Sequence, residues 1–375
     1  MKVLKDTWEN PVVKKIIIGT GIFLLLLIFL MVFASCTNKS KKYTYPKIEN
    51  LMVSKVKAKY SNSNLLPSKG NKLEVNINTL VEEGLMKSIN EYTKDEETSC
   101  TGKVTIYNNN DSYLYIPNIN CGDKYKTKNL HDTIISDNLV TTGNGLYQIN
   151  DEYVFKGDNI NNYISINKVI FRIISINEDG TIRIIEEKKK SENMTPWDDR
   201  YNIEKNANYG INNYYQNGLS SRIRDKFNSI YKSDIYPDEL KAYFIPRENC
   251  VGKRSITEND NSGTIECSEK TEPTPISTIA LYEYLRASLD PNCTEIESES
   301  CTNYNYFNSN LENFWTLTAD KDTSYKVYKI SSGSVTLSSA NNTSNLKIVV
   351  NVNGDLPLES GNGSEDTPYI INYIK

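Results

Sequence analysis

The sequence predicts an α+β protein behind one apolar N-terminal helix, and three features of the chain lead to this prediction. Segments of alternating apolar and polar residues, separated by turn sequences, recur between residues 151 and 375, as in antiparallel β-structure. Two segments of the same region instead repeat apolar residues every three or four positions, as amphipathic helices do. Residues 16–35 carry no charge and would form a helix of about 30 Å, which matches a bilayer core.

The apolar segment at residues 16–35 has two interpretations. Its length favours a transmembrane helix behind a cytoplasmic tail of residues 1–15, because the apolar core of a secretory signal is usually only about 7–15 residues long. The sequence FASC at its end resembles a bacterial lipobox, in which the cysteine, here Cys36, carries a lipid anchor, although Phe33 departs from the usual pattern. Under both interpretations a polar tether, residues 36–50, joins the membrane to the rest of the chain.

Charge excludes one class of partner. The chain has 43 basic and 47 acidic residues and a net charge of −4. It therefore offers no basic surface for a nucleic-acid backbone.

Cysteine spacing predicts disulfides and an extracytoplasmic location. Besides Cys36, six cysteines fall into three pairs that are close in sequence: Cys100 with Cys121, Cys250 with Cys267, and Cys293 with Cys301. Closing loops of this length stabilises a fold by up to roughly 3 kcal/mol. Because disulfides persist in oxidising compartments, the bulk of the chain is expected outside the cytoplasm, anchored to the cell membrane.

Two folded units are expected after the tether. Residues 51–128 should form a small module with an extended segment (KVKAKYS), a helix (NINTLVEEGLMKSINEY) and a hairpin closed by Cys100 and Cys121. Residues 129–150 contain few apolar side chains and the sequence TTGNG, which predicts a linker. Residues 151–375 should form a larger mixed α+β domain with helices at about 213–232 and 277–289. Its expected strands include EYVFKG, NYISI, KVIFRIISI and TIRIIEEK, with NEDG as the tight turn between the last two, and later FWTLT, SYKVYKI and SVTLSS.

The order of motifs in the larger domain resembles that of a group of membrane-anchored Firmicutes exoproteins. The motifs are FRIISINEDGTIRII, CVGKRS, ISTIALYEYLRASLDPNC, FWTLTAD and NLKIVVNVNGDLPLESGNG, which are spread over residues 150–375. The strand FWTLT followed by the strand KIVV also resembles the superfold of C-type lectins and formylglycine-generating enzymes. These resemblances imply an exported protein with a C-type-lectin-like domain, and neither implies an activity.

The sequence offers few candidate catalytic residues. The single histidine, His131, lies beside Asp132 in the expected linker, where a solvated loop position is the simplest interpretation. One histidine excludes a multi-histidine zinc site. Asp198 and Asp199, in the sequence WDDR, could serve as the carboxylates of a glycoside hydrolase, although a salt-bridged turn explains them more simply.

Aromatic side chains surrounded by amides are the candidates for ligand binding. Tyr209, Tyr214 and Tyr215 occur in the sequence NYGINNYY, and Trp197 precedes them. Flat rings supply contact area and amides supply hydrogen bonds, so these four residues are expected to bind a glycan or a protein.

One segment has the spacing of a calcium loop. Glu258, Asp260, Ser262 and Glu269 occupy positions 1, 3, 5 and 12 of an EF-hand-like pattern. Cys267 inside this loop favours a polar hairpin closed by a disulfide instead. Calcium is the one cofactor that the sequence suggests.

The sequence thus predicts a membrane-anchored, extracytoplasmic binding or adhesion module for a glycan or a protein, without enzymatic activity. Two alternatives remain: an extracytoplasmic hydrolase of envelope polysaccharide that uses carboxylates, and a structural component of an envelope or pilus-like assembly.

The first testable prediction concerns the cysteines and the anchor. Protein extracted from its native membrane and alkylated without reductant should show at most one free thiol by intact mass. Loss of residues 1–35 with an added lipid mass would indicate lipidation of Cys36, whereas an intact chain with one free thiol would indicate a spanning helix. Seven free thiols would contradict the extracytoplasmic location.

Overall fold

A computed structural model describes residues 42–371 except 62–63, 96, 110–111, 188–193, 294–295, 297–298 and 310–311, together with residues 11, 12, 15, 20, 22 and 24. Most of the expected tail and apolar segment, and Cys36, therefore lie outside the described residues. Among the residues that are described, no helix combines the length and the hydropathy needed to span a bilayer.

Helices and strands are both abundant, at 23% and 31% of the chain, which confirms the α+β class. The helices are α1 (Tyr45–Tyr60), α2 (Ile77–Glu82), α3 (Ile89–Thr93), α4 (Leu130–Asn138), α5 (Arg222–Lys232), α6 (Asp238–Lys241) and α7 (Leu281–Arg286). The strands are β1 (Lys72–Asn76), β2 (Thr101–Asn108), β3 (Tyr113–Asn120), β4 (Gly145–Ile149), β5 (Glu152–Lys156), β6 (Tyr163–Ile166), β7 (Val169–Ile176), β8 (Ile182–Glu186), β9 (Thr195–Pro196), β10 (Tyr215–Gln216), β11 (Leu219–Ser220), β12 (Phe314–Ala319), β13 (Lys326–Ser331), β14 (Ser334–Ser339), β15 (Thr343–Ser344), β16 (Val349–Val352) and β17 (Tyr369–Ile371).

A seven-stranded sheet lies at the centre of the larger unit. Its order is β16-β8-β7-β5-β4, and β6 pairs with the first half of β7 and with β17. The pairing of β6 with β17 is parallel, and the other pairs are antiparallel. All five residues of β8 are buried. Burial along a whole strand, instead of at alternate positions, indicates that both faces of the sheet are covered.

Three smaller sheets complete the larger unit. Strands β12, β13 and β14 form an antiparallel meander, while β9 pairs with β15 and β10 pairs with β11. The strands expected from FWTLT, SYKVYKI and SVTLSS are thus confirmed as β12, β13 and β14.

The small module is an antiparallel sheet, β1-β2-β3, with helix α1 packed on one face. Val104 and Ile106 of β2 point into the core shared with α1. Leu114 and Ile116 of β3 instead belong to the core of the larger unit. Because successive side chains of a strand point to opposite faces, this small sheet is buried on both sides and joins the two units.

Three predictions around the small module are wrong. The segment KVKAKYS is not extended, and residues 45–50 are not part of a tether, because both belong to α1. Ile48, Met52 and Val56 are buried at helical spacing, while the lysines between them give the segment a polar composition. The long helix expected between residues 76 and 92 is divided into α2 and α3, and Gly84 lies between them with φ +70°.

The expected linker at residues 129–150 instead forms α4 and β4. Leu130 and Ile134 are fully buried in the larger core, and the backbone N–H of Leu130 donates to the carbonyl of Leu356 at 2.8 Å. His131 is accordingly a residue of α4 and not of a loop, and its Nδ1 lies 3.0 Å from Asp132 Oδ1. Few apolar residues are enough here because Leu130, Ile134 and Leu146 are completely covered.

The two helices predicted in the larger unit are shorter than expected, as α5 and α7 cover only residues 222–232 and 281–286. The two predicted hairpins are confirmed. β2 pairs with β3, and the turn NEDG connects β7 to β8, with Gly180 at φ +77°. The three predicted disulfides form as Cys100–Cys121, Cys250–Cys267 and Cys293–Cys301.

Substitution of Ile184 tests how much the seven-stranded sheet contributes to stability. Ile184 is fully buried in β8, between Ile173 of β7 and Val350 of β16. Ile184→Ala should lower the free energy of unfolding by about 2–5 kcal/mol, since it leaves a cavity. Ile203→Ala, at a position 86% exposed, should change it by less than about 0.5 kcal/mol. Denaturant titration of both variants measures the difference, and equal effects would contradict a core centred on β8.

Candidate functional site

An open cleft of about 520 Å³ lies beside the β10–β11 hairpin. We call it the Tyr215 cleft. Among its lining residues are Tyr214, Tyr215, Arg224, Lys253, Glu269 and Glu272. Its size falls within the range of small-ligand pockets in proteins.

The near wall of the Tyr215 cleft is built by a tight hairpin that runs directly into helix α5. Asn217 and Gly218 both have positive φ, at 52° and 78°, as a two-residue type I′ turn requires. The turn pairs β10 with β11 and leaves the Tyr215 ring 57% exposed. Ser221 then caps α5 by accepting from the N–H of Arg224, which places that arginine 4.6 Å from the centre of the Tyr215 ring.

The far wall comes from the loop that the Cys250–Cys267 disulfide closes and from the residues after it. The N–H of Val251 donates to the carbonyl of Glu269 at 2.9 Å, which holds the two ends of the loop together. Lys253 is half-buried, and its Nζ donates to Asn212 Oδ1 at 2.7 Å. Burial lowers the pKa of the Lys253 ammonium, and nearby carboxylates, of which Glu269 is the strongest, oppose this effect.

Asn212 is a fixed partner for that lysine. Its side chain is fully buried, and its Nδ2 donates to the carbonyls of Asp320, Thr323 and Lys326 at 2.7–2.9 Å. An amide with its donors used in this way cannot rotate without losing hydrogen bonds. The Asn212 oxygen is therefore held towards Lys253.

The floor of the cleft is apolar and packed. Trp197 is fully buried, and its Nε1 donates to the carbonyl of Thr316 in β12 at 3.1 Å. The Tyr214 ring meets the Trp197 ring edge-on at 6.2 Å, and burial raises the pKa of the Tyr214 hydroxyl. Both rings therefore support the floor and offer little accessible surface.

Of the four aromatic residues predicted to bind a ligand, three line the same cleft. Trp197 and Tyr214 form its floor, and Tyr215 is the exposed ring. Tyr209 does not line the cleft and stacks instead on Tyr325, with ring centres 4.9 Å apart. Trp197 and Tyr214 offer little accessible surface, because both rings are buried where the hairpin packs against β12.

The two acids of the WDDR sequence do not line the cleft. Asp198 is fully buried and accepts from both Nε and Nη2 of Arg200. Asp199 is exposed and lies 3.2 Å from Nε of Arg222. Both carboxylates are therefore held in ion pairs with arginine, as in the salt-bridged turn that the sequence favoured.

The residues of the predicted calcium loop do not assemble around a common centre. Within the described part of the chain, no group of three or more His, Cys, Asp or Glu is placed to hold a metal ion. Glu258 accepts from the N–H of Ser255, Asp260 accepts from Ser262, and Glu269 is exposed.

An arginine provides the positive charge inside this loop. Arg254 is fully buried, and its Nη2 donates to the carbonyls of Glu258 and Asp260 at 2.6 and 2.7 Å. Its Nη1 donates to the buried carboxylate of Glu266 at 2.8 Å. The guanidinium thus binds the loop carbonyls that a calcium ion would otherwise attract.

Sequence reasoning missed the charged residues of the cleft. Arg224, Lys253 and Glu272 lie on separate segments and follow no shared pattern. One local signal was present, since the sequence QNG between Tyr215 and Leu219 is typical of a hairpin turn and would have moved the start of the predicted helix to the residues after the hairpin.

Together, the fold and the cleft define a disulfide-bonded α+β protein with a ligand-sized cleft in its surface. Comparison of the chain with protein-family models, with curated proteins and with solved structures finds no match. The geometry of the cleft is therefore the basis for assigning a function.

Substitution of Glu266 tests whether the loop at residues 258–269 is held by Arg254 or by a calcium ion. Glu266→Gln should lower the free energy of unfolding by about 3–5 kcal/mol, because it leaves the buried Arg254 without its carboxylate. Glu269→Gln, which removes the expected position-12 ligand, should change it by less than about 0.5 kcal/mol, and millimolar calcium should not raise the Tm. A rise in Tm with calcium that Glu269→Gln abolishes would instead indicate a bound ion.

Proposed function

We propose that this chain is a membrane-anchored, extracytoplasmic binding protein, without enzymatic activity, that holds part of a glycan or protein ligand in the Tyr215 cleft. The observation that carries the proposal is the composition of this cleft. An exposed ring, charged side chains and an apolar floor share one opening of about 520 Å³. Binding sites typically combine such apolar area with a few polar groups that orient the ligand.

Location is the second part of the proposal. Three disulfides in the described residues are expected of a protein that matures in an oxidising compartment. The uncharged segment at residues 16–35 and the lipobox-like sequence at Cys36 would supply the membrane anchor. The resemblance to membrane-anchored Firmicutes exoproteins, and to the C-type-lectin-like superfold, agrees with this location and with a binding role.

A binding measurement with a Tyr215 variant tests this proposal. Detergent-solubilised full-length protein should bind components of glycan or protein arrays, and Tyr215→Ala should weaken that binding by about tenfold, as loss of a central aromatic contact does. Tyr113→Ala, which removes a partly exposed ring of β3 outside the cleft, is the matched control and should leave affinity unchanged.

Absence of binding to every arrayed glycan and protein would overturn the proposal. Turnover of an arrayed polysaccharide would favour the hydrolase alternative instead.

A further inference from the structure

Among the described residues, Arg224 has no carboxylate partner, unlike its neighbouring arginines. Arg200 and Arg222 pair with Asp198 and Asp199. Within the described residues, by contrast, the half-buried Arg224 makes no ion pair and donates no side-chain hydrogen bond, and its guanidinium lies against the Tyr215 ring. A partly desolvated cation held only by an aromatic ring retains unused donors.

Lys253, across the cleft, also has no carboxylate partner among the described residues. Its ammonium donates to the neutral amide oxygen of Asn212, and it makes no ion pair among the residues that the structure describes. The two carboxylates of the cleft, Glu269 and Glu272, are exposed. Positive charge therefore lies deeper in the Tyr215 cleft than negative charge does.

Arginines that serve only the fold are treated differently in this protein. Arg183, Arg254 and Arg286 are each buried with a glutamate partner, and the buried Arg172 donates to Asn162 and Tyr163. Removing a charge from water is unfavourable unless an opposite charge or hydrogen bonds replace the water. Among the described residues, Arg224 has neither replacement and Lys253 has one neutral acceptor, so an anionic group bound between them would supply the partner that both cations lack.

The remaining lining indicates what carries that anion. The exposed face of Tyr215 suits a sugar ring, and Asn213 and Thr271 add amide and hydroxyl groups to the walls. Trp197 and Leu317 are fully covered in the floor, so the cleft offers no deep apolar socket for the side chain of a protein ligand.

We infer that the ligand of the Tyr215 cleft is an acidic saccharide, whose carboxylate, sulfate or phosphate group binds Arg224 and Lys253 while a sugar ring stacks on Tyr215. This inference rests on the proposed binding function and narrows its ligand class. The planar guanidinium can donate two parallel hydrogen bonds to such a group, and charge-assisted bonds of this kind are stronger than neutral ones.

The test compares matched acidic and neutral saccharides on detergent-solubilised full-length protein. Trigalacturonate and its methyl ester share one saccharide backbone, and esterification removes the negative charges, while sulfated and phosphorylated trisaccharides separate the three acidic groups. We expect at least one acidic probe to bind and its neutral counterpart to bind about tenfold more weakly or worse. Raising the salt concentration should weaken the acidic probe selectively, because salt screens the charges.

Substitutions of Arg224 and Lys253 test whether these two residues cause the preference for acidic saccharides. Arg224→Gln and Lys253→Gln should each reduce the affinity for the acidic probe by about tenfold and leave weak binding of the neutral probe unchanged, so that the preference for acid disappears. Lys226→Gln, on the same helix but outside the cleft, is the control and should retain the preference. The Tm of each variant checks that the fold is intact.

The outcomes separate this inference from the proposed function. Equal binding of acidic and neutral saccharides, unaltered preference in Arg224→Gln and Lys253→Gln, or binding of proteins alone would overturn the inference and leave a binding function in place. Binding of neither saccharides nor proteins would overturn both.

Discussion

The ion pair between Arg183 and Glu283 is the constraint on which the larger unit depends. Arg183 of β8 donates to both carboxylate oxygens of Glu283 in α7, at 2.5 and 3.0 Å, and both side chains are nearly excluded from solvent. It also donates to Asn249 Oδ1 at 3.2 Å, and that oxygen accepts from Ser277 at 2.7 Å. A buried pair is stable only while all its partners remain in place, so the sheet, α7 and the segment at Asn249 are fixed together.

This constraint extends to the Tyr215 cleft through the chain itself. Asn249 precedes Cys250, so the wall that carries Lys253 starts from a residue that is already fixed. The disulfide to Cys267 and the buried Arg254 hold the rest of the loop. A wall held by covalent and ionic contacts has little freedom to lose when a ligand binds. The cleft is therefore largely formed before a ligand arrives.

Charge is distributed in the structure according to role. Inside the fold, Arg183, Arg254 and Arg286 each have a carboxylate at hydrogen-bonding distance, while the buried Arg172 donates to Asn162 and Tyr163. At the cleft, Arg224 lies against an aromatic ring and Lys253 donates to a neutral amide. Charge-matched or hydrogen-bonded arginines thus stabilise the fold, and the inference of an acidic ligand depends on the two cleft cations that are partnered differently.

The sequence by itself determined the features that depend on residues close together in the chain. Alternation predicted β5 to β8, the NEDG turn predicted the connection of β7 to β8, and cysteine spacing predicted three disulfides. Each of these is set by backbone geometry and side-chain spacing over a short stretch, so it can be read without knowing the fold. The aromatic candidates near residue 214 were also found, because composition marks them.

Tertiary structure alone decided which polar-looking segments are buried and which charges meet. Helix α1 and residues 129–150 looked solvated, yet Met52 and Leu130 are fully covered by partners distant in sequence. Arg254 binds the carbonyls of the loop that has calcium-like spacing, and Arg224 and Lys253, 29 positions apart, line one cleft. No local pattern relates such residues, because burial and electrostatic pairing depend on distances in space that only the packed core establishes.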